Sequence, residues 1–136
     1  MLAFDFGTRR IGVAVGNTLT RVAHPLATID DEAGTRRFAA IAALVDEWQP
    51  GMLVVGVPVH ADGTPHEMTA RARRFARQLH GRHGLPVVEA DERGTTQDAQ
   101  SALDAAGRGG RRGRAVRDAI AAQAILQGYF DERRER

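Results

Sequence analysis

The first sixteen residues, Met1-Leu-Ala-Phe-Asp-Phe-Gly-Thr-Arg-Arg-Ile-Gly-Val-Ala-Val-Gly16, constrain the fold more than any other stretch. Two apolar runs flank a glycine turn, and one acid sits inside the first run. Leu2, Phe4 and Phe6 alternate with Ala3 and Asp5, the period of a β-strand, so Asp5 projects from the face opposite the bulky side chains. Beyond Gly7-Thr8-Arg9-Arg10, the residues Ile11, Val13 and Val15 alternate with Gly12, Ala14 and Gly16 as a second strand, and the pair predicts a hairpin. An ionised carboxylate within an apolar strand is costly unless it is paired, hydrogen-bonded or bound to a metal. Any fold for this chain must therefore supply a partner for Asp5.

Downstream, a polar turn near Asn17 to Thr20 leads into Val22 to Ile29, where Pro25 argues for a third strand at the sheet edge. Phe38, Ile41, Ala42, Val45 and Trp48 then recur at helical spacing until Pro50-Gly51 ends the pattern. Met52 to Val57 is a continuous apolar run, as expected for a strand buried on both faces. After a loop from Pro58 to Pro65, a second helix carries Met68, Ala72, Phe75 and Leu79 on its apolar face and Arg71, Arg74 and Arg77 off it, and Gly84 breaks it. Leu85 to Ala90 reads as another strand, running into Asp91-Glu92-Arg93-Gly94-Thr95-Thr96. Thr95 and Asp98 have capping-box spacing, which predicts a helix to about Ala105. The glycine- and arginine-rich segment from Ala106 to Arg114 has too few apolar residues to pack and reads as a mobile loop. A last helix is expected from about Ala115 to Phe130, with Asp131 to Arg136 as a frayed charged tail.

This order predicts an α/β fold. Right-handed crossovers lay the later strands parallel to the first, giving a five-stranded mixed sheet, three antiparallel strands and then two parallel, flanked by helices. At 136 residues the chain suffices for one domain, expected to span 1–136, and is too short for two lobes around a cleft. It contains no cysteine, which excludes disulfides and thiolate metal sites. The start has neither a membrane-length apolar run nor the basic, apolar and small-residue order of a signal peptide, so a cytoplasmic location without membrane association is expected.

The formal net charge is only +2, yet all 19 lysine-or-arginine positions are arginine. Codon usage accounts for most of that bias, and position is more informative than number. Arg108, Arg111, Arg112, Arg114 and Arg117 fall together among Gly107, Gly109, Gly110 and Gly113. Arginine stays charged and binds phosphate bidentately, which suits nucleic acid.

In sheets of this kind function gathers at the carboxyl ends of the strands, where Asp5, the Asp62 loop and the Asp91-Glu92 pair can all lie. Asp118 falls on the same helix face as Ala122, Ile125 and Tyr129, the stripe that must meet the sheet. Alone, Asp118 is explained by the helix dipole, which an acid in the first turn complements by ~0.3 to 1 kcal/mol. Together, Asp5, Glu92 and Asp118 are hard oxygen ligands from strand, strand end and helix. Mg²⁺ or Mn²⁺ prefers such ligands, and two ions about 3.5 to 4 Å apart cleave phosphodiesters by activating water and stabilising the leaving oxygen. Arg9, Arg10, Arg93 and the arginine loop would hold the phosphate backbone without reading sequence. Asp62-Gly63 reads as a turn, and His24, His60, His66, His80 and His83 lack metal-ligand spacing, with only His60 and His66 within reach of the site. Trp48 and Phe75 stand at core spacing and read as packing residues.

Leu2 to Gly16, Val54-Val-Gly-Val-Pro58 with Asp62-Gly63-Thr64, Asp91-Glu-Arg-Gly-Thr-Thr96 and the Asp118 to Tyr129 helix resemble, in order and spacing, the YqgF (RuvX) family of RuvC-like nucleases. The resemblance runs essentially from end to end. It implies an RNase H-like fold, a divalent-metal nuclease, and a role in Holliday junction resolution or in maturing the 5′ end of pre-16S rRNA. Carried over by motif, the metal-binding acids are Asp5, Glu92 and Asp118, with Asp91 in reserve. Gly94 departs from the family pattern, which has leucine after the arginine. Nucleic acid is the expected partner, and the chain is expected as a monomer or, for a junction, a homodimer. Asp5-Phe-Gly also occurs in protein kinases, whose other motifs are absent here. Two alternatives stand beside the nuclease: a non-catalytic nucleic-acid-binding factor, and an ATP-binding module resembling actin-like ATPases and sugar kinases, which need two lobes.

Overall fold

The computed structural model of the chain describes residues 1–59, 62, 64, 65, 67–91 and 110–134, with the backbone alone at 110–112, 114 and 134. The elements, in order, are β1 (Leu2–Phe6), β2 (Arg10–Asn17), β3 (Val22–Asp30), α1 (Gly34–Trp48), β4 (Leu53–Val57), α2 (Thr69–His83), β5 (Val87–Asp91) and α3 (Gly110–Arg134). The helix expected from Thr95 to Ala105 lies outside the described residues.

The strands form one sheet in the order β3-β2-β1-β4-β5. β1 is antiparallel to β2 and β2 to β3, whereas β4 is parallel to β1 and β5 to β4. The expected mixed sheet is thus the observed one. Pro25 sits on β3, an edge strand, where a missing ladder donor does least harm. No helix among the described residues is long and apolar enough to cross a membrane.

Strand alternation divides the core into two layers of different bulk. Leu2, Phe4, Ile11, Val13, Leu53 and Val55 form one face, closed by Ile41 of α1 and by Phe75, Ala76 and Leu79 of α2. Phe75 meets Phe4 edge-on at 6.0 Å and Phe6 at 4.9 Å between ring centroids. Fully burying each such Phe or Leu side chain contributes about 1.5–3 kcal/mol. The other face is built from Ala3, Ala14, Ala23 and Val54, and Ala122, Leu126, Tyr129 and Phe130 of α3 cover it. Small residues there let α3 come close to the sheet. A Cβ on Gly16 would lie 2.6 Å from Leu126 Cδ2 and 2.7 Å from the Phe130 ring. The helix is also tied to edge strand β3: Gln123 Nε2 donates to the Ala23 carbonyl, the Ala23 amide donates to Gln127 Oε1, and Gln127 Nε2 donates to the Arg21 carbonyl, each at 3.0 Å.

Four sequence expectations need correction. The final helix starts at Gly110, so residues 110–114 are helical and not a loop; arginine is a good helix former, Gly113 is buried, and the Thr28 hydroxyl donates to the Ala115 carbonyl at 2.5 Å. The same helix continues to Arg134 instead of fraying after Phe130. Asp131 accepts from Gln127 at 3.1 Å, and the Arg133 guanidinium lies over the Tyr129 ring at 4.6 Å, both stabilising pairs four residues apart. Trp48 is 43% exposed, because it is the last residue of α1 and no further turn covers it. Ala42 also faces outward, and the buried positions of α1 are Arg37 and Ile41. Phe75, by contrast, is in the core at 3% exposure.

Candidate active site

Asp5 lies near the carboxyl end of β1, on the α3 side of the sheet, by alternation with Phe4 and Phe6. Its register neighbours are Gly12 on β2 and Gly56 on β4, so no adjacent side chain crowds the carboxylate from within the sheet. After Phe6 the chain turns through Gly7-Thr8-Arg9 and re-enters the sheet at Arg10. That turn is held from α1: the Arg37 Nη2 donates to the Gly7 carbonyl, and the guanidinium lies 5.4 Å from the Phe6 ring centroid, within cation–π range. Arg37 is only 8% exposed, and burial pushes its guanidinium below its ordinary value. Its Nε is buried without a hydrogen-bond partner among the described residues. The contacts at Gly7 and Phe6 offset part of that cost.

The second acid arrives from α3. Asp118 is not in the first turn, as its dipole explanation required, but is the ninth residue of the helix, whose first turn holds no acid. Its position follows from Gly12. A Cβ at Gly12 would stand 1.9 Å from the Asp118 carbonyl oxygen, so the helix backbone touches β2 at the residue paired with Asp5. The Asp118 carboxylate accepts from Arg10 Nε at 2.6 Å, with the two side chains about a quarter and a fifth exposed. This is a short charge-assisted hydrogen bond in partly desolvated surroundings.

Asp5, Phe6, Gly7, Thr8, Arg9, Arg10 and Asp118 line an open pocket of ≈ 210 Å³. Two carboxylates from strand and helix thus share one pocket with two arginines. Hard, anionic oxygen donors of this kind fit Mg²⁺ or Mn²⁺. Among the described residues, no three histidines or acids converge as a complete metal-binding group. Glu92, the third expected donor, lies outside the described residues, as do Arg93 and Arg108. Arg111, Arg112 and Arg114 stand in the first turns of α3, their side chains also outside what is described. Arg9 is exposed and 3.5 Å from Glu32.

Asp91 ends β5 and is exposed. By alternation it shares a face with Val87, which packs toward α1 and α2, and with Glu89, 3.9 Å from Arg73 of α2. Asp5 shares the opposite face with Ala90. The Asp62 carboxylate accepts from the Thr64 amide and hydroxyl at 3.0 and 2.7 Å, the pattern of a side-chain-stabilised turn. His60 and His66 lie outside the described residues, and His24 and His80 are exposed. Three contributors to the site escaped the sequence reading: Gly12, Thr28 and Arg37. A glycine inside a strand signals close backbone approach, and that signal was available at Gly12.

A sequence model of the RuvX family, described as Holliday junction resolvase, matches residues 1–132. A protein of Chromobacterium violaceum is 55% identical over 132 residues, covering 96% of both chains, and one of Nitrosomonas europaea is 57% identical over 131 residues, covering 96% of this chain and 88% of the other. Both carry the description "Putative pre-16S rRNA nuclease". Among solved structures, Thermus thermophilus RuvC in complex with a Holliday junction substrate superposes with a TM-score of 0.56 at 18% identity, covering 98% of this chain and 96% of that one. A second Thermus thermophilus RuvC structure gives 0.54 at 14% identity, with coverages of 99% and 97%. The shared architecture is the RNase H-like fold of RuvC.

Proposed function

The chain belongs to the RuvX family, and from that premise we propose that it is a divalent-metal-dependent nuclease hydrolysing phosphodiester bonds in the 5′-end maturation of pre-16S rRNA. The observation that carries this reading is the pocket, where acids from β1 and α3 meet beside two arginines. The descriptions of the relatives favour an rRNA precursor, and the family's description as Holliday junction resolvase favours branched DNA as a second reading. A homodimer suits the junction, because two sites must act on one substrate, and a monomer suffices for the precursor. The proposal covers one domain, 1–136, acting in the cytoplasm.

Asp5, Glu92 and Asp118 are the proposed ligands of Mg²⁺ or Mn²⁺, with two ions expected. When bound, the ions supply an activated water and stabilise the leaving oxygen. Alternation along β5 supports Glu92 over Asp91, since Asp91 shares the parity of Glu89, on the face away from Asp5. Arg10 holds Asp118 through Nε and keeps further N–H donors for a phosphate oxygen. Arg9, Arg93, Arg108, Arg111, Arg112 and Arg114 are proposed to neutralise the backbone without reading bases.

The test compares wild type with Asp5→Asn on a pre-16S 5′ leader and on a four-way DNA junction, with Mn²⁺ and Mg²⁺. The variant should fold and bind but lose cleavage by more than the ~10- to 100-fold cost of an outer-sphere partner. Equal cleavage by the variant overturns the metal-ligand role of Asp5. Binding without cleavage by the wild type would instead support the non-catalytic factor, and tight ATP binding the kinase-like module.

A further inference from the structure

Five of the fifteen residues of α2 are arginines, Arg71, Arg73, Arg74, Arg77 and Arg82, and none is an acid. The buried stripe is Thr69, Ala72, Phe75, Ala76 and Leu79, which leaves the arginines outside. Arg82 is engaged, its guanidinium 3.9 Å from the Phe38 ring centroid, and Arg73 is 3.9 Å from Glu89. Arg71, Arg74 and Arg77 are exposed and form no ion pair among the described residues. Successive members are three residues apart, surface neighbours whose Cβ atoms stand ≈ 5–6 Å apart, close enough to repel.

An ordinary solvated helix face mixes both signs of charge. α1 does so: it carries exposed Arg36 with Asp46 and Glu47, also exposed, and Arg36 is bonded to Asp31 at 2.6 Å. α2 departs from that pattern, since its outer face carries arginines and no acid. The helix covers the sheet face opposite α3 and the pocket. It begins at the carboxyl ends of the strands, the end at which Asp5 lies, so a backbone leaving the pocket reaches it by turning over that end. The Thr69 hydroxyl donates to the Pro58 carbonyl at 2.5 Å, and Pro58 follows β4, whose Gly56 is the register partner of Asp5. From that end, Arg71 to Arg77, at 1.5 Å per residue, carry the basic face back for roughly 9 Å.

We infer that the outer face of α2 is a second phosphate-binding surface, along which the backbone of the nucleic-acid substrate runs away from the active site. The inference rests on the reading of nucleic acid as substrate. It commits Arg71, Arg74 and Arg77 to phosphate oxygens and to no base contact, so the surface adds affinity and length preference without sequence specificity.

The test measures binding across a salt series, with Asp5→Asn as the background to prevent cleavage, and a long duplex against an oligonucleotide too short to leave the pocket. R71Q/R74Q/R77Q should reduce the log–log salt slope for the long duplex by about 2 to 3, at ~0.9 per phosphate contact, and leave the short ligand unaffected. A control, R21Q/R36Q/R133Q, removes the same charge from other exposed positions and should change the slope little. Coincident slopes for the α2 variant and its parent overturn the inference and leave the face to an acidic protein partner. Equal losses from the control overturn it too, because they reduce the effect to net charge. Cleavage by the wild type is scored separately: an α2-dependent salt slope in a protein that cuts nothing upholds the surface and refutes the nuclease.

Discussion

A methyl group at Gly12 would stand 1.9 Å from the Asp118 carbonyl oxygen, and the obstacle is helix backbone, which cannot swing aside as a side chain can. Gly12→Ala must therefore push α3 off β2. Overpacking of this kind costs about 1–3 kcal/mol, to be read from urea denaturation. The same shift moves Asp118 relative to Asp5, so catalysis should fall further than the folded fraction does; activity tracking the folded fraction alone would refute the positioning role. Asp5 was legible from sequence because alternation with Leu2, Phe4 and Phe6 is local information. Asp118 was half legible: its face was right, while its distance from the helix start was wrong, since propensity and burial extended the helix back to Gly110. Arg37 was not legible at all. Nothing in its neighbourhood along the chain announces a buried guanidinium, whose acceptor, the Gly7 carbonyl, lies 30 residues earlier.

At the scale of elements, the entry into α1 depends on Asp31. Its carboxylate accepts from Arg36 Nε at 2.6 Å and from the Ala33 amide at 2.9 Å, and those bonds, the arginine's foremost, hold it below the usual carboxylate range. A carboxyl group whose folded value is depressed contributes stability that is fully present above its unfolded value near ~4 and is lost as pH falls through the lower folded value. Wild type should therefore lose stability between about pH 4 and the folded value, and Asp31→Asn should lose less over that window from a lower neutral-pH starting point. Urea titrations at several pH values check this; parallel acid limbs would remove Asp31 from the account. The strands were the most legible elements, because period-two patterns and the apolar run at β4 each have one solution. Helix ends were the least legible. The pairs that extend α3 to Arg134, Asp131 with Gln127 and Arg133 with Tyr129, are polar and look like tail composition until they are seen one turn apart.

At the scale of the molecule, the order of elements was enough to deduce the mixed sheet, since hairpins give antiparallel neighbours and crossovers give parallel ones. The packing of the layers needed the structure. The alternating Gly12, Ala14 and Gly16 read as ordinary strand residues, yet they form the bed on which α3 lies. That arrangement bears on how the protein is made. Arg10 and Asp118 are 108 positions apart, so the hairpin leaves the ribosome long before the helix that completes its pocket. Until then Ala3, Ala14, Ala23 and Val54 present an uncovered sheet face. Long-range closure of this kind is slow and comes last. Stalled nascent chains should gain protease protection of the hairpin only once α3 has emerged; protection at shorter lengths would contradict this. The pocket would then stay incomplete for as long as the ribosome that makes the chain still holds its final helix.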